Sequence, residues 1–335
     1  MRRIRVLIEI IFVLGMIGLL GGAGWLIWES RPPDTGSGIV IFEVEKGQSV
    51  RSVAESLKAR GLIRKSAPFI LFYKIFHQAE NIKAGEFALQ AGRRTKETLE
   101  TLLRGKIYLH PVTVPEGLTA AETFDVFLSA SFGTREAFET GFKDIAEIAL
   151  IDPAAADLEG YLFPETYRLP KGVSSSEILS GMIAQFKDIF GPEARRRAAE
   201  IGMTPREAVI LASLIEKETR LLEEKPLVSA VFHNRLRIGM KLECDPTVIF
   251  ALKRDGTFGG QLRKRDLKYD SPYNTYLVGG LPPGPICNPG RASIEAALFP
   301  AAADFIFFVA SGEGGHVFSR TLKEHQNAVR AFRQK

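Results

Sequence analysis

The sequence predicts an α+β protein tethered by one N-terminal transmembrane helix, and three observations carry that expectation. An apolar run near the start is long enough to cross a bilayer. Beyond it, short β-patterned stretches such as Ile39–Glu45 and Phe305–Val309 are mixed with helical ones and with loops rich in glycine and proline. Near the middle, Thr204–Arg220 reads as a helix with a well-marked start and with acidic residues carried into an apolar face.

The bulk properties set limits on the rest. A chain of 335 residues, 45% hydrophobic and 25% charged, has an ordinary globular balance and room for roughly two domains. Its formal net charge is +5, but the basic residues are scattered and no basic stripe is interleaved with aromatics, which argues against nucleic acid as a partner. A mildly basic surface suits an anionic membrane or a cell-wall polymer.

Val6–Trp28 is interrupted only by Glu9 and ends with Trp25 and Trp28 where an interface would lie. Arg2, Arg3 and Arg5 precede the run and only Arg31 closely follows it, so the N-terminus is expected in the cytoplasm and everything after Arg31 outside. The alternative is a cleaved signal peptide. Its apolar region would be shorter and followed by small residues at a cleavage site, whereas this run closes on Gly21–Trp25, and an uncleaved anchor over residues 1–30 is the better reading. Cys244 and Cys287 are too few for a disulfide framework; outside the cytoplasm they can pair, or pack as two free thiols.

Residues 31–38, rich in Pro, Gly and Ser, form a linker. Ile39–Glu45 is a strand, Ser49 caps a helix over Val50–Arg60, Gly61 stops it, and a second helix fits Ala67–His77. A short strand around Gly85–Leu89 and a helix near Lys96–Leu103 complete a small α/β module over residues 39–107. Its order of strand, Gly47 to Ser49, helix, Gly61 to Ile63, helix and strand resembles a LysM-like glycan-binding module; an inert spacer is the alternative.

The second domain is expected over residues 108–335. Val112–Gly117 is a strand leading into a turn, with a helix from Thr119. Leu158–Tyr167 mixes aromatics and carboxylates without a period. Rings stack on sugar faces and acids hold hydroxyls, so this cluster suits a glycan cleft, unless its aromatics simply pack inward. Val231–Leu242 is a short helix with a glycine stop. Tyr269–Tyr276 and Gly279–Gly290 are long turn-rich segments of the kind that usually carry function. Ser293–Leu298 is a helix, Phe305–Val309 a buried strand, Gly315–Ser319 its hairpin partner, and Thr321–Phe332 the closing helix.

In the central helix Thr204 caps, Pro205 takes the first helical position, and Glu207 reaches back to the cap amide. On a helical wheel Leu211, Leu214, Ile215, Leu221 and Leu222 fall within roughly 60° of Glu218, provided the helix runs that far. Glu218 then points where the leucines point, and hydrocarbon raises its pKa toward the range of a general acid. If the helix ends before Leu221, Glu218 is instead a solvated residue of its last turn. Glu216 falls on another face, with Arg220 four residues on as a surface ion partner.

The ordered strings Pro115–Gly117, Glu159–Tyr167, Ala212–Thr219, Val231–Arg237 and Asp245–Thr247 resemble the membrane-anchored endolytic murein transglycosylases, the YceG-like or MltG family. Tyr273–Tyr276, Leu281–Ile286, Asn288–Gly290, Gly315–Ser319, Glu324 and His325 continue the resemblance, which spans residues 39–332. It implies that Glu218, the second glutamate of its string, is the lone catalytic acid and base, and that Glu216 is a structural neighbour. It implies non-hydrolytic cleavage between N-acetylmuramic acid and N-acetylglucosamine, leaving 1,6-anhydro ends, with no cofactor and no metal. Peptidoglycan glycan strands and the membrane are the implied partners, with peptidoglycan synthases as further candidates, and the location is the cell (inner) membrane with the catalytic domain outside. Glu159, Glu165, Tyr273, Asn274 and Tyr276 are the candidates for binding substrate.

Other classes lack their motifs. His77, His110, His233, His316 and His325 show no zinc-protease spacing, no Gly-x-Ser-x-Gly elbow occurs, and the turn Gly312–Gly315 lacks the lysine of a phosphate loop. A non-enzymatic, membrane-tethered glycan-binding scaffold is the rival reading, and the acid on the apolar stripe argues against it.

Overall fold

The structure, a computed structural model, describes residues 2–334 apart from 34, 35, 37 and 313. Three positions of the expected linker, and Glu313 in the turn before Gly315, therefore lie outside the described residues. The chain is mixed α+β and divides into two compact units: residues 1–110 with 168–171, and residues 111–167 with 172–335.

The first unit begins with helix α1, Arg2–Glu29, whose stretch Ile4–Glu29 is long and apolar enough to cross a membrane. β1 (Ile39–Val44) pairs antiparallel with β2 (Gly85–Gln90), Phe42 opposite Phe87. Between them run α2 (Val50–Ala59) and α3 (Ser66–Phe76), and α4 (Thr95–Arg104) follows. Ser49 caps α2 by accepting the Ser52 amide at 3.2 Å, and Gly61, at φ 67°, takes the left-handed conformation that ends it. The apolar faces of these elements meet in one core of Phe42, Val53, Leu57, Phe69, Phe87 and Leu99, each fully buried. At about 1.5–3 kcal/mol per buried side chain, that core is what holds two strands and three short helices together.

The second unit is largely helical. The short strands β3 (His110–Thr113) and β4 (Thr166–Leu169), through which the division of the chain runs, bracket α5 (Ala120–Ser129), opened by a Thr119–Glu122 capping box, and α6 (Arg135–Phe142). α7 (Ser175–Ile189), α8 (Pro192–Glu200), α9 (Pro205–Glu218) and α10 (Lys225–Arg237) follow. α11 (Asp245–Arg254) and α12 (Arg291–Leu298) flank the long loops. The chain closes with the antiparallel pair β5 (Phe307–Ala310) and β6 (His316–Ser319), packed on α13 (Leu322–Gln334). The expected strand Phe305–Val309 is buried only at Phe307, because a two-stranded hairpin covered by one helix has a single sheltered face.

α9 is the axis of this unit. Ala208 to Ile215 are buried without a break, a pattern found where a helix is surrounded, and α8, α10, α11 and α12 pack around it. Its start is as the sequence dictates: the Thr204 hydroxyl accepts the Glu207 amide at 3.2 Å and the Glu207 carboxylate accepts the Thr204 amide at 2.8 Å. Thr204→Ala should therefore cost about 1 kcal/mol in urea unfolding, with no change in the fold.

The end of α9 differs from expectation. The helix stops at Glu218, because Thr219 is extended at φ −140° and its hydroxyl accepts the Leu221 amide at 3.1 Å. Leu221 and Leu222 therefore leave the stripe, and Leu222 is 65% exposed. α6, α7, α8, α11 and β4 were not expected as elements.

Candidate active site

Glu218 is the last residue of α9, yet it is half-buried rather than solvated. The apolar lining comes from elements distant in sequence: Leu242 beyond α10, Phe307 and Phe308 on β5, and Leu322 on α13 border a cavity of about 340 Å³ that Glu218 faces. Burial pushes its carboxyl up to about 7; the Cys244 thiol, as its hydrogen-bond partner, opposes the rise, and the Asp245 carboxylate adds to it. A carboxyl so poised can give a proton and take one back near neutral pH.

Tyr276 lines the same cavity and donates its hydroxyl to Asp245 Oδ1 at 2.6 Å. Burial first, and then that carboxylate, push the phenol up, so it stays a neutral donor. Arg235 is 7% exposed and gives Nε to the Ile306 carbonyl at 2.7 Å and Nη1 to the Leu242 carbonyl at 2.8 Å, which ties β5 and the α10–α11 loop to α10. His325 stacks on Phe307, ring centroids 5.0 Å apart, and burial lowers its pKa. Asp245, Arg235, Cys244 and His325 carried no assigned role in the sequence reading. Asp245 was within reach, since an acid followed by Pro246 announces a helix start at the edge of a loop.

The other candidate residues lie elsewhere. Tyr273 and Glu159 line a second cavity of about 460 Å³, together with Asp157, Arg206 and Arg254, and it shares no residue with the first. Arg254 donates to the Tyr273 hydroxyl at 3.2 Å. α11 carries Asp245 at one end and Arg254 at the other, about 14 Å apart at 1.5 Å per residue, and so runs from one cavity toward the other. Glu159 is buried, accepts the Ala120 amide at 3.0 Å, and is pushed up to about 8 by burial. Asn274 is fully buried: its amide donates to the Leu267 and Tyr269 carbonyls and its oxygen accepts the Tyr276 amide, so it shapes the loop that presents Tyr276. Glu165 is exposed and accepts the Thr166 amide at 2.8 Å. The aromatics between them pack inward: Tyr161 is 1% exposed, stands edge-on to Phe186, and donates its hydroxyl to Asp152 at 2.5 Å.

Glu216 is not a surface partner of Arg220. Its side chain is 8% exposed and accepts from Lys225 Nζ at 3.0 Å, the Ser293 hydroxyl at 2.6 Å and the Gly290 amide at 3.0 Å. Two residues apart on a helix means nearly opposite faces, so the last turn is fastened on one side by Glu216 and open to the cavity on the other. Cys244 and Cys287 are both buried and unpaired with each other as a disulfide.

A buried helix ending in a carboxyl that faces a polar and aromatic cavity, on an α+β scaffold, is an arrangement able to carry acid–base chemistry. A profile of the YceG-like family matches residues 42–331, and the chain belongs to that family. It is 31% identical over 312 residues to an endolytic murein transglycosylase of Bacillus subtilis (strain 168), covering 88% of this chain and 84% of that one. A protein of the same description from Streptococcus pneumoniae serotype 2 (strain D39 / NCTC 7466) is 27% identical over 86% of this chain, and the match spans 59% of its length. A crystal structure of a putative YceG-like protein from Listeria monocytogenes superposes with a TM-score of 0.59 at 30% identity, covering 86% of this chain and 98% of that one.

Proposed function

We propose that this protein is an endolytic murein transglycosylase in which Glu218 is the single acid and base. The observation that carries the reading is Glu218 itself, a carboxyl raised to about 7 by burial at the mouth of a cavity in a member of this family. Glu218 protonates the oxygen leaving C1 of N-acetylmuramic acid. As carboxylate it then takes the proton of the muramic 6-hydroxyl, whose oxygen closes on C1. One C–O bond breaks and one forms, the proton returns to Glu218, and no water is consumed. Ordinary glycosidases need two placed carboxylates for their two steps; here the substrate supplies its own nucleophile. Tyr276, whose proton goes to Asp245, offers its phenol oxygen as an acceptor to a sugar hydroxyl in this scheme, and Asn274 positions its loop.

The first unit's module over residues 39–107 serves as a LysM-like glycan holder, and Tyr273, Glu159 and Glu165 remain candidates for contacts further along the strand. Arg2, Arg3 and Arg5 at the start of α1 favour a cytoplasmic N-terminus, so that in this reading both the module and the site work outside the membrane on glycan strands, beside the peptidoglycan synthases that make them. The test is the product. The full chain in detergent, given uncrosslinked murein strands, should release fragments with 1,6-anhydro ends in mass spectrometry; reducing ends would identify a hydrolase and overturn the scheme.

A further inference from the structure

Glu218 is followed at once by a backbone turn, and that turn is bonded to a buried carboxylate. Thr219 is the residue at which α9 ends, and its hydroxyl donates to Glu224 Oε2 at 3.1 Å. The same carboxylate accepts the His316 amide at 2.7 Å and is 2.7 Å from His316 Nδ1. Glu224 is 9% exposed and Thr219 4%, so these bonds lie where water competes poorly. Gly315 has its own reason to be glycine: a Cβ there would stand 2.7 Å from Glu224 Oε1. The turn before β6 can therefore close onto the carboxylate only without a side chain.

We propose that Glu224 is a positioning residue for Glu218: its carboxylate joins Thr219 to His316 and so fixes the end of α9 against β6, with Glu218 aimed into the cavity. The proposal rests on the assignment of Glu218 as the acid. A buried carboxylate is costly unless its oxygens are satisfied. This one has three donors, and although burial alone would raise its pKa, the bonds from His316 and Thr219 hold it below the ordinary range. Tyr276, Arg235 and β5 build the walls of the cavity; Glu224 sets the reach of the group that works there. A displacement of 1 Å in a reacting group can cost about a hundredfold in rate.

The test is a pH–rate profile of the full chain in detergent, comparing Glu224→Ala and Thr219→Val with the wild type. The acid must be protonated to act, so activity falls as pH rises through its pKa. A released turn lets Glu218 reach water, its pKa drops toward that of a free carboxyl, and the alkaline limb should move down by about one pH unit or more in Glu224→Ala. The same substitution should lower kcat at least about tenfold with KM held within about twofold, the pattern of a misplaced reacting group. Thr219→Val, which leaves the Glu224–His316 pair intact, should move the limb in the same direction by less.

The groups facing Glu218 are Cys244, Asp245, His316 and Arg235, with Glu243, Tyr276 and His325 on the same cavity. Of these only His316 is touched by Glu224→Ala, and deleting the Glu224 carboxylate would itself lower the Glu218 pKa by removing a negative charge, so Thr219→Val, which removes none, is the deciding variant. Where Glu224→Ala does not fold, Thr219→Val decides alone. A folded Thr219→Val protein whose limb stays in place or moves up overturns the proposal. Full activity in Glu218→Gln sinks the acid assignment itself, an outcome read separately from the position of the limb.

Discussion

Glu218→Gln is expected to abolish release of anhydro-ended fragments, with a loss of at least about 10³-fold, because one group supplies both the acid and the base step and each is typically worth 10²–10⁴. The same substitution should stabilise the fold at alkaline pH. Burial raises the Glu218 carboxyl from its ordinary value to about 7. A raised carboxyl contributes fully to stability below its unfolded pKa, and that contribution is lost as pH rises through the folded pKa. Glutamine never ionises, so it escapes the loss: the variant should match wild type near pH 4 and exceed it at pH 8, by on the order of a few kcal/mol. Thermal melts at the two pH values, run beside the activity assay, separate this from unfolding. A variant that loses activity and also melts lower at pH 8 would show that Glu218 is needed for packing rather than for chemistry.

Much of the frame was legible in the residues, and the reasons differ from place to place. The start of α9 could be read because Thr204, Pro205 and Glu207 make a local signal that needs no tertiary partner. Its end could not, because Thr219 breaks the helix with help from Glu224, a partner whose placement depends on His316 nearly a hundred residues on. The wheel therefore put Glu218 against hydrocarbon for a partly mistaken reason: the hydrocarbon comes from β5, α13 and Leu242, not from Leu221 and Leu222, and it shares the cavity with polar groups that the wheel did not foresee. Glu216 failed in the opposite way. Arg220 is four residues on and looked like its partner, but Lys225 arrives from α10 and fills the site from inside. α7 carries its own capping box of Ser174 and Glu177, a local signal that the sequence reading passed over, whereas β4 pairs with a strand more than fifty residues before it and has no signal of its own. Glu159, Tyr273 and Tyr276 sit in short strings rich in function-bearing residue types, but which cavity each faces is decided by α11, a helix whose two ends border different cavities.

Lys225→Met should be the most damaging single change for stability, at about 3–5 kcal/mol, because it leaves a buried carboxylate without its cation. Lys225 is 2% exposed and its ammonium reaches both Glu216 at 3.0 Å and the Ser293 hydroxyl at 2.8 Å. Glu116 makes matters worse for the variant: burial and then the Glu216 charge raise its carboxyl, and Lys225 is the group that opposes the rise. With the lysine gone, two carboxylates face each other. The cost should shrink as pH falls and one of them protonates, so unfolding in urea at pH 5 should show a smaller deficit than at pH 7.5. Adding Glu216→Gln should restore most of the loss, since the amide oxygen still accepts the Gly290 amide and the carboxylate that Lys225 had paired is gone. A double variant as unstable as Lys225→Met alone would mean that the methylene packing of Lys225, not its charge, holds the loop ending at Gly290 onto α9.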